Sequence, residues 1–370
     1  VAGSTRLVDL IQLRIDAYLA ERRGELDEVS PDLEVMDAAA RSLLAGGKRF
    51  RALFCYWGWQ SVAAMGDDFD PAADASPALD GVVSVAAALE LFHAAALVHD
   101  DIMDNSDLRR GQPSLHRRFE ALHAERGWTG SATGYGMSAA LLLGDLLLGW
   151  SDGLFEEGLV AAERDAATAA RAEFGRMRTD VMLGQYLDML EEHSWRGRPE
   201  AELLPRAHRV IVYKSAKYSV ESPLALGAAL AGGSLAQVSG LRAFGLPLGV
   251  AFQLRDDLLG VYGDPEVTGK PAGDDLREGK RTVLINLARQ KLPPSASRLV
   301  DELLGDPELD DEQIGMLQAA IRECGAVDQV ERIIAHNVET AVAALNEAPI
   351  ARSARAELTA LADTVTRRES

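Results

Sequence analysis

The residues best suited to do chemistry are aspartates in two groups. Asp100, Asp101 and Asp104 close the stretch Leu91-Phe-His-Ala-Ala-Ala-Leu-Val-His-Asp-Asp-Ile-Met-Asp104, and Asp256 and Asp257 close Phe252-Gln-Leu-Arg-Asp-Asp-Leu-Leu-Gly260. Both stretches are otherwise apolar and read as buried helices. Positions four apart share a helix face, so Asp100 and Asp104 point the same way, with His93 two turns up that face. Gln253, Asp256 and Gly260 share a stripe on the second helix. Carboxylates on a buried helix are costly unless paired or metal-bound, and acid at a helix C-terminus opposes the macrodipole. A hard divalent cation is the simplest counter-charge. One such cluster alone reads equally well as a solvated helix end, but two in one chain do not. Two such helices facing each other would make a cage for several cations, with room for an anionic ligand between.

The cations are the next signal. The chain has six lysines, Lys48, Lys214, Lys217, Lys270, Lys280 and Lys291, and uses arginine everywhere else. Lys48, Lys214, Lys270 and Lys280 lie in stretches punctuated by Gly, Ser or Asp rather than on solvated helix faces. A compact ammonium is a good point-charge partner for a phosphate. Lys48-Arg49-Phe50-Arg51 follows Gly46-Gly47, where the backbone can approach an anion closely. The plainer alternative is a glycine C-cap followed by basic residues that answer the helix dipole. Arg109-Arg110, just past the first acid cluster, either neutralise it or clamp a diphosphate held there through metal. Gln185 and Asp188 share one helix face and read equally well as ordinary polar positions.

The elements that must position these residues are helices. Apolar residues keep a helical period through Leu7, Leu10, Ile11, Ile15 and Leu19. Ser30-Pro31 reads as an N-cap with proline in the first turn, opening a helix to about Leu44. Further helices are expected at 51–65, 81–104, 116–125, 137–155, 161–192, 199–217, 234–260 and 282–291, and after Asp306. Ser222-Pro223 reads as the start of another. No alternation of strand type and no dinucleotide-binding glycine pattern is found. The expectation is an all-α chain, one domain over 1–370, with loops near 66–80, 105–115, 126–136 and 263–281. The 370 residues are 47% hydrophobic and 26% charged, ample for a large core. A net charge of −19 argues against nucleic acid and against charge-driven docking on an anionic membrane. The apolar runs read as too short or too interrupted to span a bilayer, and no secretion signal is read at the N-terminus. Cys55 and Cys324 lack metal-ligand spacing and read as core residues of a reducing compartment. A cytoplasmic location is expected.

With these residues in view, the chain resembles the trans-isoprenyl diphosphate synthases, or polyprenyl synthetases, over at least residues 40–285. Gly46-Gly47-Lys48-Arg49-Phe50-Arg51 is similar to the family's first basic motif. Asp100-Asp101-Ile102-Met103-Asp104 is similar to its first aspartate-rich motif, and Arg109-Arg110-Gly111 to the arginines that follow. Lys214-Ser215 is similar to its Lys-Thr pair, with serine in place of threonine. Phe252-Gln253 through Asp256-Asp257 is similar to the second aspartate-rich motif, and Lys270 and Lys280 to the last two lysines. The six motifs stand in the family's order. One departure matters: the second motif commonly carries a third acid three residues after its paired aspartates, and here that position is Gly260.

The resemblance implies an orthogonal helical bundle with a central cavity, of the isoprenoid synthase type, and a homodimer without stable membrane insertion. It implies a prenyltransferase that joins isopentenyl diphosphate to an allylic diphosphate (dimethylallyl, geranyl or farnesyl) with magnesium, three ions accompanying bound diphosphate. Asp100, Asp104 and Asp256 would hold the metal, with Asp101 and Asp257 behind them. Arg109, Lys214 and Lys270 would hold the leaving diphosphate, with Gln253 and Ser215 nearby and Lys280 acting indirectly. Lys48, Arg51, His93 and Arg110 would hold isopentenyl diphosphate. Ala95 and Ala96 are small where aromatic residues would stop growth early. Phe92 stands about 12 Å up the helix from Asp100, where it would act as a floor for a geranylgeranyl product of about twenty carbons. The alternatives are a longer-chain synthase, a terpene cyclase on the same fold, and a non-catalytic partner subunit. A di-iron bundle built on Glu90-x-x-His93 and Glu120-x-x-His123 is a further rival, although it leaves both aspartate clusters unexplained.

Overall fold

Apolar helices joined by short polar turns make up the computed structural model, which describes residues 2–64, 77–264 and 273–366. Lys270 lies outside the described residues. The helices gather into two compact units, where the sequence offers no linker to mark a division. The first comprises Val1–Ala170 with Leu226–Gly233, and the second Arg171–Ala225 with Ser234–Ser370.

The first unit contains α1 (Ala2–Val29), α2 (Glu34–Leu44), α3 (Phe50–Ala63), α4 (Pro77–Met103), α5 (Leu115–Glu125) and α6 (Ala132–Gly158). Ser30 caps the turn before α2 as expected: its hydroxyl accepts the Asp32 N–H at 3.2 Å, with Pro31 following. Among the described residues the only strands are β1 (Leu108–Arg109) and β2 (Gln112–Pro113), an antiparallel pair with Arg109 opposite Gln112. Their two-residue turn, Arg110-Gly111, has positive φ at both positions, the geometry that matches the twist of a tight hairpin.

Close packing fixes α4 against α6. A Cβ on Gly81 would stand 2.8 Å from the Gly158 carbonyl, and one on Gly158 would stand 2.7 Å from the Gly81 carbonyl. The Ser151 hydroxyl donates to the Ala88 carbonyl at 2.8 Å. At the other end the His99 ring occupies the space a side chain at 144 would need, and its Nε2 lies 3.5 Å from Asp145. The crossing therefore sets where α4 delivers its aspartates.

The second unit contains most of α7 (Arg164–Ser194), then α8 (Glu200–Val210), a π-helical segment (Ile211–Glu221) and the start of α9 (Ser222–Leu230). It continues with α10 (Leu235–Tyr262), α11 (Asp274–Glu278), α12 (Val283–Lys291), α13 (Pro294–Leu303), α14 (Asp311–Glu323), α15 (Ala326–Glu347) and α16 (Arg352–Thr366). The sequence reading began a separate helix at Ser222-Pro223. α9 does begin there, without a break from the π-helical segment: the Ser222 N–H reaches back five residues to the Lys217 carbonyl. Pro223, which has no N–H to offer, then falls in the first turn of α9. Ser234 opens α10 with a reciprocal capping box to Gln237.

One expectation is corrected. Three helices, α4, α6 and α10, are long and apolar enough by length and composition to cross a membrane, with mean hydropathies of 1.9, 1.2 and 1.3. The sequence reading underrated them because it broke each run at its isolated Gly, Asp or Pro, which the helices carry without interruption. In α4, 78% of the apolar window is buried inside the protein, so that surface is already used by the core. Cys55 is buried and Cys324 half-buried, and both thiols are free.

Candidate active site

In the first unit α4 ends at Met103, yet the Asp104 N–H still donates to the Asp100 carbonyl at 2.8 Å. Asp104 thus keeps the helical register and the face of Asp100. Asn105 then turns left-handed, with φ of 52°. Asp101 points the other way and is buried, where it pairs with Arg109: Arg109 Nε donates to its Oδ1 at 2.9 Å and Nη2 reaches the same oxygen. The same guanidinium stands 3.6 Å from Asp100 Oδ2. Arg109 therefore neutralises the cluster in this state, one of the two roles its position allowed.

The basic motif splits by function. Arg49, left-handed with φ of 50°, turns into the core. Its Nη1 donates to Glu90 Oε2 at 3.1 Å and its Nη2 to Gln12 Oε1 at 2.6 Å. Glu90 also accepts the Ala52 N–H at 3.2 Å, so this buried carboxylate fixes the start of α3. That leaves Lys48 exposed before α3 and Arg51 in its first turn. Gly47 lies against the Arg110 guanidinium, 3.5 Å from a Cβ at 47 to Nη2. His93 lies among these cations. Burial first, then Arg51, Arg110, Arg109 and Arg49, hold its pKa well below the usual imidazole value. Burial and Arg49 likewise lower that of Arg110. Of the predicted set of Lys48, Arg51, His93 and Arg110, the structure thus places the two arginines near His93, and their like charges repel each other and favour an anion.

The rival di-iron motif does not assemble. Glu90 is engaged by Arg49, Glu120 accepts from Arg117 at 2.8 Å and from Thr133, and His123 Nε2 contacts the Thr129 carbonyl at 3.2 Å.

In the second unit the π-helical segment carries Lys214 and Ser215. It is pressed between α7 and α10, because a Cβ on Gly184 would overlap the backbone of Tyr213 and Lys214, and one on Gly249 would stand 2.5 Å from the Ala216 carbonyl. The resulting cavity, of about 110 Å³, is lined by Asp188, Lys214, Ser215, Gln253, Asp257, Asp275 and Lys280 among others. Lys214 Nζ lies 2.5 Å from Asp188 Oδ2, and Lys280 Nζ lies 3.7 Å from the same oxygen and 3.0 Å from Glu192. Gln253 donates to Asp257 Oδ1 at 2.8 Å. Asp256 is half-buried on the neighbouring position of α10, while Asp257 is 4% exposed. Burial, and then Asp275, Asp256 and Asp188, push the Asp257 carboxyl well above the usual carboxylate range, although the Gln253 bond pulls it down.

Asp188, Glu192 and Asp275 lie beside the predicted residues although sequence reasoning passed them over or left them as ordinary polar positions, and Glu90 was weighed only in the rival di-iron motif. For Asp188 and Glu192 a signal existed: two acids one turn apart on α7, matched in number by Lys214 and Lys280. For Glu90 and Asp275 only the fold reveals the contact.

Among the described residues no three His, Cys, Asp or Glu side chains converge as a ready-made metal cage. Magnesium does not need one, since it binds through one or two carboxylates together with phosphate oxygens and water. The residues present fit that mode. Asp100 and Asp104 share a face, each of these ligands is a hard oxygen, and among the described residues the buried Asp257 Oδ2 has no hydrogen-bond partner, an acceptor that a cation or its waters would satisfy.

Two acid-tipped apolar helices, each with basic side chains nearby in an all-α chain, define a class, the all-α isoprenoid synthases. The polyprenyl synthetase family model matches residues 33–322, and the chain belongs to that family; it is a prenyltransferase. The crystal structure of a geranylgeranyl pyrophosphate synthase from Corynebacterium glutamicum, complexed with isoprenyl diphosphate and magnesium, is 36% identical. It superposes with a TM-score of 0.90 over 98% of this chain and 99% of that one. The geranylgeranyl diphosphate synthase of Mycobacterium tuberculosis is 33% identical over 90% of this chain and 83% of its own length. The geranylfarnesyl diphosphate synthase of Aeropyrum pernix is 30% identical over 93% and 95%.

Proposed function

We propose that the protein condenses isopentenyl diphosphate with an allylic diphosphate, with the aid of magnesium, to give geranylgeranyl diphosphate. Asp100, Asp104 and Asp256 would hold the metal. When bound, magnesium supplies the positive charge that stabilises a departing diphosphate. Lys214 and Lys280 exchange their carboxylate partners for the oxygens of that diphosphate, with Gln253 and Ser215 beside them and Arg109 and Lys270 assigned on the family motif. Lys48, Arg51, His93 and Arg110 hold isopentenyl diphosphate. Its alkene attacks the allylic cation, and the proton lost from the adduct passes to the departing diphosphate.

The observation that carries this reading is the cationic cluster around His93. A terpene cyclase ionises a single diphosphate and has no use for a second anion site. A non-catalytic partner subunit is disfavoured by the presence of all three first-motif acids.

Product length rests on α4. Phe92 and Ala95 are fully buried and Ala96 is half-buried, so the large side chain stands two turns above the acids with small ones between. Relatives that make geranylgeranyl and geranylfarnesyl products are about equally similar to this chain, so the length must be read from the product. Phe92→Leu, chosen to limit the cavity, should shift the product towards longer chains by mass spectrometry. An unchanged distribution removes Phe92 from the argument.

We further propose a cytoplasmic homodimer without stable membrane insertion. Exposed apolar side chains on α6 (Met137, Leu141, Leu142) and on α7 (Met182, Leu183, Tyr186) support the dimer.

The test is product analysis with magnesium, labelled isopentenyl diphosphate, and dimethylallyl, geranyl or farnesyl diphosphate in parallel. Elongated products that disappear on chelation are expected. Release of diphosphate from one substrate alone, with no elongation, would sink the assignment of the second anion site.

A further inference from the structure

The second acid cluster is one residue short. Where the family motif commonly has a third acid, this chain has Gly260. The space that a side chain at 260 would need is already filled: a Cβ there would overlap the Asp275 carboxylate, with Oδ1 at 2.7 Å and the other carboxyl atoms closer still. We infer that Asp275, carried on the short helix α11, supplies to the divalent-cation site the carboxylate that α10 lacks at position 260.

Several features fix Asp275 in this place. Gly273 and Gly279 bracket α11 in left-handed conformations, with φ of 73° and 81°, which most other residues adopt only with strain. Leu276 is fully buried, and its carbonyl accepts the Gly305 N–H at 2.9 Å. The Asp275 carbonyl accepts the Lys280 N–H at 3.0 Å, so one residue ties its own carboxylate and the lysine to the same turn. An aspartate in the first turn of a helix ordinarily answers the helix dipole. Asp274 can serve that purpose, whereas the Asp275 side chain lies against α10 and lines the cavity of Lys214 and Gln253.

A second observation points to a ligand. Asp257, 4% exposed, lines the same cavity, and its Oδ2 has no hydrogen-bond partner among the described residues. Bringing a further carboxylate towards a buried carboxyl is unfavourable unless a proton or a cation is shared between them, and a bound cation would take the place of the proton. Gly260 and Asp275 thus form a complementary pair, in which the glycine is small because the acid comes from elsewhere.

The inference rests on the proposed magnesium and diphosphate site, and its test separates the two. Binding of inorganic diphosphate would be titrated calorimetrically at several magnesium concentrations, with product formation measured in parallel. The proteins are wild type, Asp275→Asn, Gly260→Asp, the double variant Gly260→Asp/Asp275→Ala, and Asp274→Asn as a neighbouring control. Asp275→Asn should weaken magnesium-dependent diphosphate binding by about tenfold or more, the scale of removing a carboxylate that supports a metal site. Gly260→Asp alone should also lose binding through overlap and like charge. The double variant, with the acid moved to α10, should recover to within about threefold of wild type. Asp274→Asn should bind as wild type does.

If Asp275→Asn keeps the wild-type magnesium dependence, or Asp274→Asn loses as much, the inference is overturned. Failure of the double variant to recover while its melting temperature stays at the wild-type value also overturns it. Wild-type protein that binds magnesium and diphosphate but elongates nothing would defeat the proposed reaction while the variant series still decides Asp275. Wild-type protein that shows no magnesium-dependent binding would defeat both.

Discussion

The two acid-tipped helices solve the same electrostatic problem in opposite ways. At the end of α4 the buried member of the pair, Asp101, has its cation built in, since Arg109 reaches back from the hairpin to meet it. At the end of α10 the buried member, Asp257, has among the described residues only the Gln253 amide on one oxygen, and burial and the carboxylates around it push its pKa up. The cations reverse the pattern. Those of the first unit crowd together around His93 and depress its ionisation, whereas Lys214 and Lys280 of the second unit rest on Asp188 and Glu192. On the proposed reading, the first unit would take an anion as it stands, and the second would take one once a cation has arrived and the lysines have been drawn off their carboxylates. The magnesium-dependent diphosphate would then make its own site, and isopentenyl diphosphate would enter one already charged for it.

The sharpest way to break the comparison is to remove the acids that face the proposed metal. Asp104→Asn and Asp256→Asn should each lower kcat/KM for elongation by about a hundredfold to a thousandfold, the scale of losing a preorganised charge contact in a transition state. Equal losses would mean that the two helices contribute alike to the chemistry despite their different resting states. A loss confined to one would assign the metal chiefly to that helix.

Next in size is Arg109→Gln, which would make the end of α4 resemble that of α10. Removing one partner of a largely buried pair costs about 3 kcal/mol or more. Chemical denaturation of the metal-free protein should show that loss, and added magnesium should recover part of it. A change below about 1 kcal/mol would show that Asp101 does not depend on its arginine.

The smallest effects are in the pH dependence of the metal-free protein, where the two regions should differ in sign. The folded state holds the Asp257 proton more tightly than the unfolded chain does. Its contribution to stability is therefore lost as pH rises above the unfolded carboxyl pKa, about 4. Asp257→Asn should melt higher than wild type at pH 8 and at the same temperature near pH 4. His93 is held neutral in the fold, so its contribution is lost as pH falls below the unfolded imidazole pKa, about 6.5. His93→Gln should narrow the drop in melting temperature between pH 7 and pH 5. A wild-type pH profile in either variant would remove that residue's charged neighbours from the account.

Much of this protein is determined by its sequence alone. Helical periodicity and the Ser30-Pro31 start signal are local matters of propensity and capping, and the reading they support places α2, α4, α7 and α10 closely. The spacing of Asp100 and Asp104, and the rarity of lysine, are visible without a fold because a helix converts spacing into direction. What only the tertiary structure decides is which opposite charges meet. Nothing in the spacing of the basic motif tells Arg49 to turn inward onto Glu90 while Arg51 joins His93. The resemblance to the family motif marks Gly260 as a position where an acid is common, but the carboxylate that fills its space lies fifteen positions on, on another helix. The reason is physical: periodicity sets the face on which a side chain lies, whereas the partner it meets depends on helix crossings set by close contacts such as Gly81 on Gly158 and Gly249 on Ala216, which act between residues far apart in the chain.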